Sequence, residues 1–143
     1  MDGGCEEPGA GRQSSTVVVV DDDADIRDAV REVLEEEGYR TLGAADGEEA
    51  LGLLHSSPQL PQLILLDLTM PVKDGWQFLL EIDEDPELHR VPVALMSAHR
   101  SVRRAFDKEQ SKYGFTRLLL PKPLNLLRLL SIVESVCSKS ERL

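Results

Sequence analysis

Cysteine is nearly absent from this chain. Cys5 and Cys137 stand near opposite ends, with no CxxC pair and no spacing suited to zinc, so both read as free thiols in a reducing compartment. Histidine offers no metal site either: His55, His89 and His99 lack ligand spacing and read as structural or exposed. Basic charge is in deficit, with 16 Lys and Arg against 26 Asp and Glu and a formal net charge of −10. A phosphate backbone attracts basic surfaces, so direct nucleic-acid binding is not expected. No apolar run approaches a membrane span, and the stretch Met1 to Ser15 has no apolar signal core. Internal repeats and low-complexity segments are missing as well. These absences point to a cytoplasmic domain spanning 16–138, with 1–15 as a flexible leader and 139–143 as a short tail.

What is present is enough for one core. A length of 143 residues with 41% apolar content suits a single domain. Thr16 to Val20 is β-branched throughout and continuously apolar, which predicts a central strand. Asp25 is expected to cap a helix carrying Ile26, Val30, Val33 and Leu34 on one face, with Gly38 stopping it. Tyr39 to Gly43 reads as a second strand. Asp46 with Glu49 three residues later resembles a capping box, opening a helix with Ala50, Leu51, Leu53 and Leu54 that Ser56-Ser57-Pro58 breaks. Leu63 to Leu66 is the third strand, followed by a helix containing Trp76, Leu79 and Leu80. Val93 to Met96 is the fourth, followed by a polar helix near 102–113. Arg117 to Leu120 is the fifth, and an apolar helix from about Asn125 to Ser138 closes the order. Short strands alternating with helices imply parallel βαβ units with right-handed crossovers, hence a single doubly wound α/β domain.

Parallel strands deliver their carboxyl ends to one edge of the sheet, where ligands of open α/β sheets sit. At that edge fall Asp21-Asp22, Asp67, Ser97 and Lys122. Carboxylates gathered this way repel unless a cation sits among them, and an oxygen-only site suits a hard divalent ion, Mg²⁺ or Mn²⁺. A lysine pairs with an anion and a hydroxyl hydrogen-bonds one. Metal, carboxylate, ammonium and hydroxyl together supply the neutralisation and positioning that in-line phosphoryl transfer needs.

On the segments Val19 to Arg27, Asp67 to Gly75, Pro92 to Ala98 and Lys122-Pro123, the sequence resembles the response-regulator receiver domain of two-component signalling, over about residues 16 to 138. The resemblance implies a CheY-like, flavodoxin-like (βα)5 fold with a five-stranded parallel sheet in the order 2-1-3-4-5. It makes Asp67 the phosphoacceptor, attacking a donor's phosphoryl group to form an aspartyl phosphate. Asp22 and Asp67 become direct Mg²⁺ ligands with the backbone carbonyl of Thr69, and Asp21 acts through water. Ser97 hydrogen-bonds a phosphoryl oxygen, Lys122 pairs with the others, and the Lys122–Pro123 bond is cis. The implied partners are a histidine kinase or phosphotransfer protein upstream and a protein target downstream. The implied function is that of a stand-alone, single-domain response regulator that switches a binding surface or relays the phosphoryl group, and is not a classical enzyme.

Four features depart from the pattern or add to it. Leu119 stands where the family usually has an aromatic switch residue. Pro121 removes an N–H just before Lys122, suggesting a strand that ends early or lies exposed. Thr69 and His99 occupy variable positions flanking the phosphoryl site. The last helix has Leu126, Leu129, Leu130, Val133 and Val136 as a core stripe, leaving Leu127 and Ile132 as surplus apolar residues that mark a face for a second copy or a partner. Two rival readings stand beside the first. One is a receiver-like module that binds partners without phosphorylation, which Leu119 favours. The other is an aspartyl-phosphate hydrolase, which Thr69 disfavours, since such enzymes carry a second aspartate there.

Overall fold

Four consecutive valines decide the centre of the molecule. Each has one preferred side-chain rotamer and packs well on a pleated surface, so Val17 to Val20 hold an extended strand that is buried on both faces. The computed structural model describes residues 15–67, 75–97, 117–121 and 125–142. In chain order these form β1 (Thr16–Val20), α1 (Ala24–Glu36), β2 (Arg40–Ala44), α2 (Gly47–Ser56), β3 (Leu63–Asp67) and α3 (Gly75–Glu84). A 3₁₀ turn (Leu88–Arg90), β4 (Val93–Ser97), β5 (Arg117–Pro121) and α4 (Leu126–Arg142) follow.

The strands pair in parallel in the order β2-β1-β3-β4-β5. Four of them carry the described core. Of β5, paired by its backbone along β4, Leu120 is buried with that core. The chain leaves β1 for β2 on one side and reaches β3 on the other, so the strand order reverses at the β1–β3 junction. The polar helix expected near 102–113 lies outside the described residues.

Alternation along the strands sorts the core into two layers. Val18, Val20, Ile64, Leu66, Val93 and Leu95 face α2 and α3, meeting Ala50, Leu54, Phe78, Leu79 and Ile82. Val17, Val19, Leu63, Leu65, Ala94 and Met96 face the other way, against Val30 and Leu34 of α1 and Leu129, Val133 and Cys137 of α4. Cys137 is thus a core residue and forms no disulfide among the described residues. No helix among the described residues is long and apolar enough to cross a membrane.

Local signals set the helix ends, with several differences from expectation. Asp23, not Asp25, caps α1: its Oδ1 accepts from the N–H of Asp25 at 3.0 Å and of Ile26 at 3.2 Å. Asp25 instead lies in the first turn, where its charge favours the helix dipole. Gly38 ends α1 at φ 97°, with its N–H bonded to Glu35 O and that of Tyr39 to Leu34 O, the paired bonds of a Schellman stop. Asp46 caps α2 through the Glu49 N–H at 2.9 Å, while the Glu49 carboxylate reaches back to the N–H of Ala45 rather than of Asp46. β2 is shifted one residue later than expected, because Arg40 N–H bonds to Ser15 O and starts the ladder there.

The C-terminal elements differ too. Pro121 is included in β5, opposite Ser97, rather than ending the strand before it. β5 is the edge strand of the described sheet and Pro121 its last residue, a place where a missing N–H is tolerated. Asn125 Oδ1 accepts from the Arg128 N–H at 3.1 Å, and α4 runs on to Arg142. Of the expected stripe, Leu129 and Val133 are buried and Leu130 and Val136 half-buried, but Leu126 is exposed. Ile132, expected as surplus, packs against the core, while Leu127 is 80% exposed. The inward face of α4 therefore runs through Leu129, Val133 and Cys137; Leu126, seven residues before Val133, lies on the same side but opens the helix and is exposed.

Between α3 and β4, Asp85 Oδ1 accepts from the N–H of Glu87 at 2.8 Å and of Leu88 at 3.0 Å, and Oδ2 lies 3.5 Å from His55 Nε2 of α2. The Leu88 and Glu87 backbone bonds, aided by His55, hold the Asp85 carboxyl below the usual carboxylate range. A depressed folded-state value stabilises the fold above the unfolded-state value and loses that contribution as pH falls through the folded one. Asp85→Ala is therefore expected to lower the urea midpoint at neutral pH, with the difference from wild type shrinking on acidification through the carboxylate range. Leu65→Ala, at a position with 0% exposure, is expected to cost about 2–5 kcal/mol. Leu127→Ala should stay within about 0.5 kcal/mol, both read from urea unfolding.

Candidate functional site

The register of the two central strands builds the site. Val20 of β1 pairs with Leu66 of β3, so the residues that follow, Asp21 and Asp67, emerge side by side at the carboxyl edge of the sheet. They do so at the β1–β3 junction where the strand order reverses, the position at which doubly wound sheets open a crevice. Asp67 is the last residue of β3 and 5% exposed. Asp21 is fully buried and Asp22 exposed. One carboxylate oxygen from each of the three lies within 4.8 Å of the others.

The β1–α1 turn is held from several directions. The Asp21 N–H donates to Ala44 O at 3.0 Å, continuing the β1–β2 ladder one step past the strand. Its Oδ1 accepts from the Asp23 N–H at 2.9 Å, and its carbonyl accepts from Arg27 Nη1 at 2.8 Å. Asp23 then caps α1, so the turn from strand to helix is closed by the same acidic run that supplies the cluster.

Ser97 ends β4 and is 6% exposed. Asp67 pairs with Met96, which places Ser97 one step further out on the adjoining strand. Asp21, Asp22 and Asp67 are thus brought together as a cluster, with Ser97 at the same edge. Thr69, His99 and Lys122 lie outside the described residues. Leu119 sits on β5 opposite Leu95. Arg27 received no role from the sequence. The available signal was an arginine in the first turn of the helix after an acidic strand end, facing a glycine strand position, Gly43.

Three like charges this close repel, and two of them have little water to screen them. A cation among them removes the repulsion, and oxygen donors alone suit a hard ion that keeps some of its waters. The residues therefore fit a Mg²⁺ site, the acidic pocket at which receiver domains bind that ion.

The known proteins this chain is similar to agree in kind. Residues 17–134 match the family model described as the response regulator receiver domain. An uncharacterized 14.6 kDa protein of Leptolyngbya boryana is 33% identical over 121 residues, covering 85% of this chain and 88% of that protein. The transcriptional regulatory protein CpxR of Escherichia coli (strain K12) is 33% identical over 125 residues, covering 87% of this chain. This chain spans about half of CpxR, 50% of its length. The crystal structure of the chemotaxis response regulator CheY4 of Vibrio cholerae superposes with a TM-score of 0.73 at 30% identity, covering 85% of this chain and 98% of that one. With the match running across nearly the whole sheet and its carboxyl edge, the chain belongs to the response regulator receiver domain family.

Proposed function

We propose that this chain is a phosphorylation-controlled switch in which Asp67 is the phosphoacceptor. The observation that carries the reading is the meeting of the Asp21, Asp22 and Asp67 carboxylates within 4.8 Å at the sheet's carboxyl edge. An oxygen of Asp67 attacks the phosphorus of a phosphohistidine or small acyl phosphate. The Oδ–P bond forms as the P–N or P–O bond to the donor breaks, and the donor keeps the bonding pair. Asp22, Asp67 and the Thr69 carbonyl would hold Mg²⁺, with Asp21 acting through water, and the ion would neutralise phosphoryl charge when bound. Ser97 and, from its sequence position, Lys122 take the phosphoryl oxygens.

In this reading the chain comprises five βα units over 16–138, works in the cytoplasm, and receives its phosphoryl group from a histidine kinase or phosphotransfer protein. Its output is a changed protein-binding surface or onward relay. The Leptolyngbya relative, covered over 88% of its length, supports a receiver acting alone, whereas CpxR, covered over half, supports a receiver serving a larger regulator. Leu127 and Leu126 at the start of α4 supply exposed apolar surface for a second copy or target. Leu119 favours a second reading, a module that binds without phosphorylation, and one experiment separates the two.

Intact mass after incubation with a small acyl phosphate and Mg²⁺ is expected to show one phosphoryl adduct. The adduct should be absent with chelator and absent in Asp67→Asn. Target binding that survives Asp67→Asn unchanged would instead establish the second reading. Mg²⁺ at a hundredfold excess over its Kd is expected to raise unfolding stability by about 2.7 kcal/mol. Asp22→Asn should lose most of that gain, while unfolding at higher urea than wild type in chelator because one repelling charge is gone.

A further inference from the structure

Two arginines of α1 cross the edge strand β2 at Gly43. A Cβ at Gly43 would stand 3.3 Å from Arg27 Cδ, 3.2 Å from Arg31 Cδ and 3.0 Å from Arg31 Nη1. The missing side chain is thus the space through which both arginine stems run. Their ends go separate ways. Arg31 stays on β2, donating from Nε to Thr41 Oγ1 at 3.0 Å and from Nη2 to Thr41 O at 3.5 Å, with Glu35 beside both. Arg27, half-buried, turns towards the carboxyl edge and donates to the Asp21 carbonyl at 2.8 Å.

That carbonyl is one half of the peptide unit joining Asp21 to Asp22. A peptide unit is planar, so holding its oxygen fixes the direction in which the Asp22 N–Cα bond leaves it. Asp22 is exposed, and packing does little to aim it. Asp21 is held at its N–H by Ala44 and at its carboxylate by the Asp23 N–H, but both bonds lie upstream of the Asp22 peptide or bridge across it. Arg27 grips that peptide itself.

We propose that Arg27, seated over Gly43, is a positioning residue for the acidic pair: it orients the Asp21–Asp22 peptide so that the Asp22 carboxylate faces Asp67. The inference rests on the metal-site reading above and adds a residue that touches neither metal nor phosphoryl group. It acts by geometry, so its effect persists when charges are screened.

The test is the Mg²⁺ dissociation constant of the full chain by calorimetry, for wild type, Arg27→Ala, Arg27→Lys, Gly43→Val, the Arg27→Ala/Gly43→Val double variant and Asp22→Asn. Partners that orient metal ligands typically change affinity by 10-fold or more, so Arg27→Ala should weaken Mg²⁺ about 10-fold. Arg27→Lys, which keeps a donor of similar reach, should recover most of the loss. Gly43→Val, a residue well suited to a strand, should weaken binding by crowding Arg27 and add nothing to Arg27→Ala. The ratio of Arg27→Ala to wild type should hold in about 1 M salt, where the screening length is about 3 Å. A ratio that collapses there, additivity in the double variant, or unchanged affinity in Arg27→Ala overturns the proposal. Should Arg27→Ala unfold, Arg27→Lys and Gly43→Val decide it: wild-type affinity in Gly43→Val overturns it. Unchanged affinity in Asp22→Asn would instead sink the metal-site reading on which the inference stands.

Discussion

The structure depends on holding three carboxylates closer together than their charges favour. The force that does so is apolar and lies behind them. Val20 and Leu66, both fully buried, lock β1 to β3 in a register that sends Asp21 and Asp67 to the same edge. A slip of one residue would turn every side chain of a strand to the opposite layer, exchanging the α1–α4 core for the α2–α3 core. Two independent hydrophobic layers therefore enforce one polar arrangement. The repulsion at the edge is the stored imbalance that a cation, and in the proposed function a phosphoryl group with its cation, relieves.

The turn after β1 shows how little local sequence is spent on that arrangement. Asp21 joins the cluster and binds the Asp23 N–H, Asp22 joins the cluster, and Asp23 caps α1. Three successive aspartates serve three purposes because backbone direction changes by a strand-to-helix turn across them. Arg27 then returns from the helix to the strand end and closes the loop on itself. Strand, turn and helix are in this way one mechanical unit, and the site inherits its rigidity from α1 as well as from the sheet.

Most of the scaffold was legible because its signals are local or periodic. Val17 to Val20 and Leu63 to Leu66 announce buried parallel strands by unbroken apolarity, Gly38 announces a helix stop by its need for positive φ, and Asp46 with Glu49 announces a helix start. The misreadings fall where two residues could each satisfy a local rule. Asp23 and Asp25 are both competent caps, and the choice went to the one that the strand exit leaves in extended geometry, at φ −84° and ψ 107°. Leu126 and Ile132 are equally apolar, and their places along α4 decide the outcome: Leu126 opens the helix and is exposed, while Ile132 stands beside Val133 in its middle and packs against the core.

The sequence by itself determined the alternation of strands and helices, the acidic and hydroxyl residues at the ends of β1, β3 and β4, and with its motifs the family. These follow from residue type and spacing along a few positions. The meeting of Asp21, Asp22 and Asp67, and the path of Arg27 over Gly43 to the Asp21 carbonyl, were decided only by tertiary structure. Each joins residues from separate elements, and their distance is set by strand register and helix packing, which no local stretch of sequence encodes.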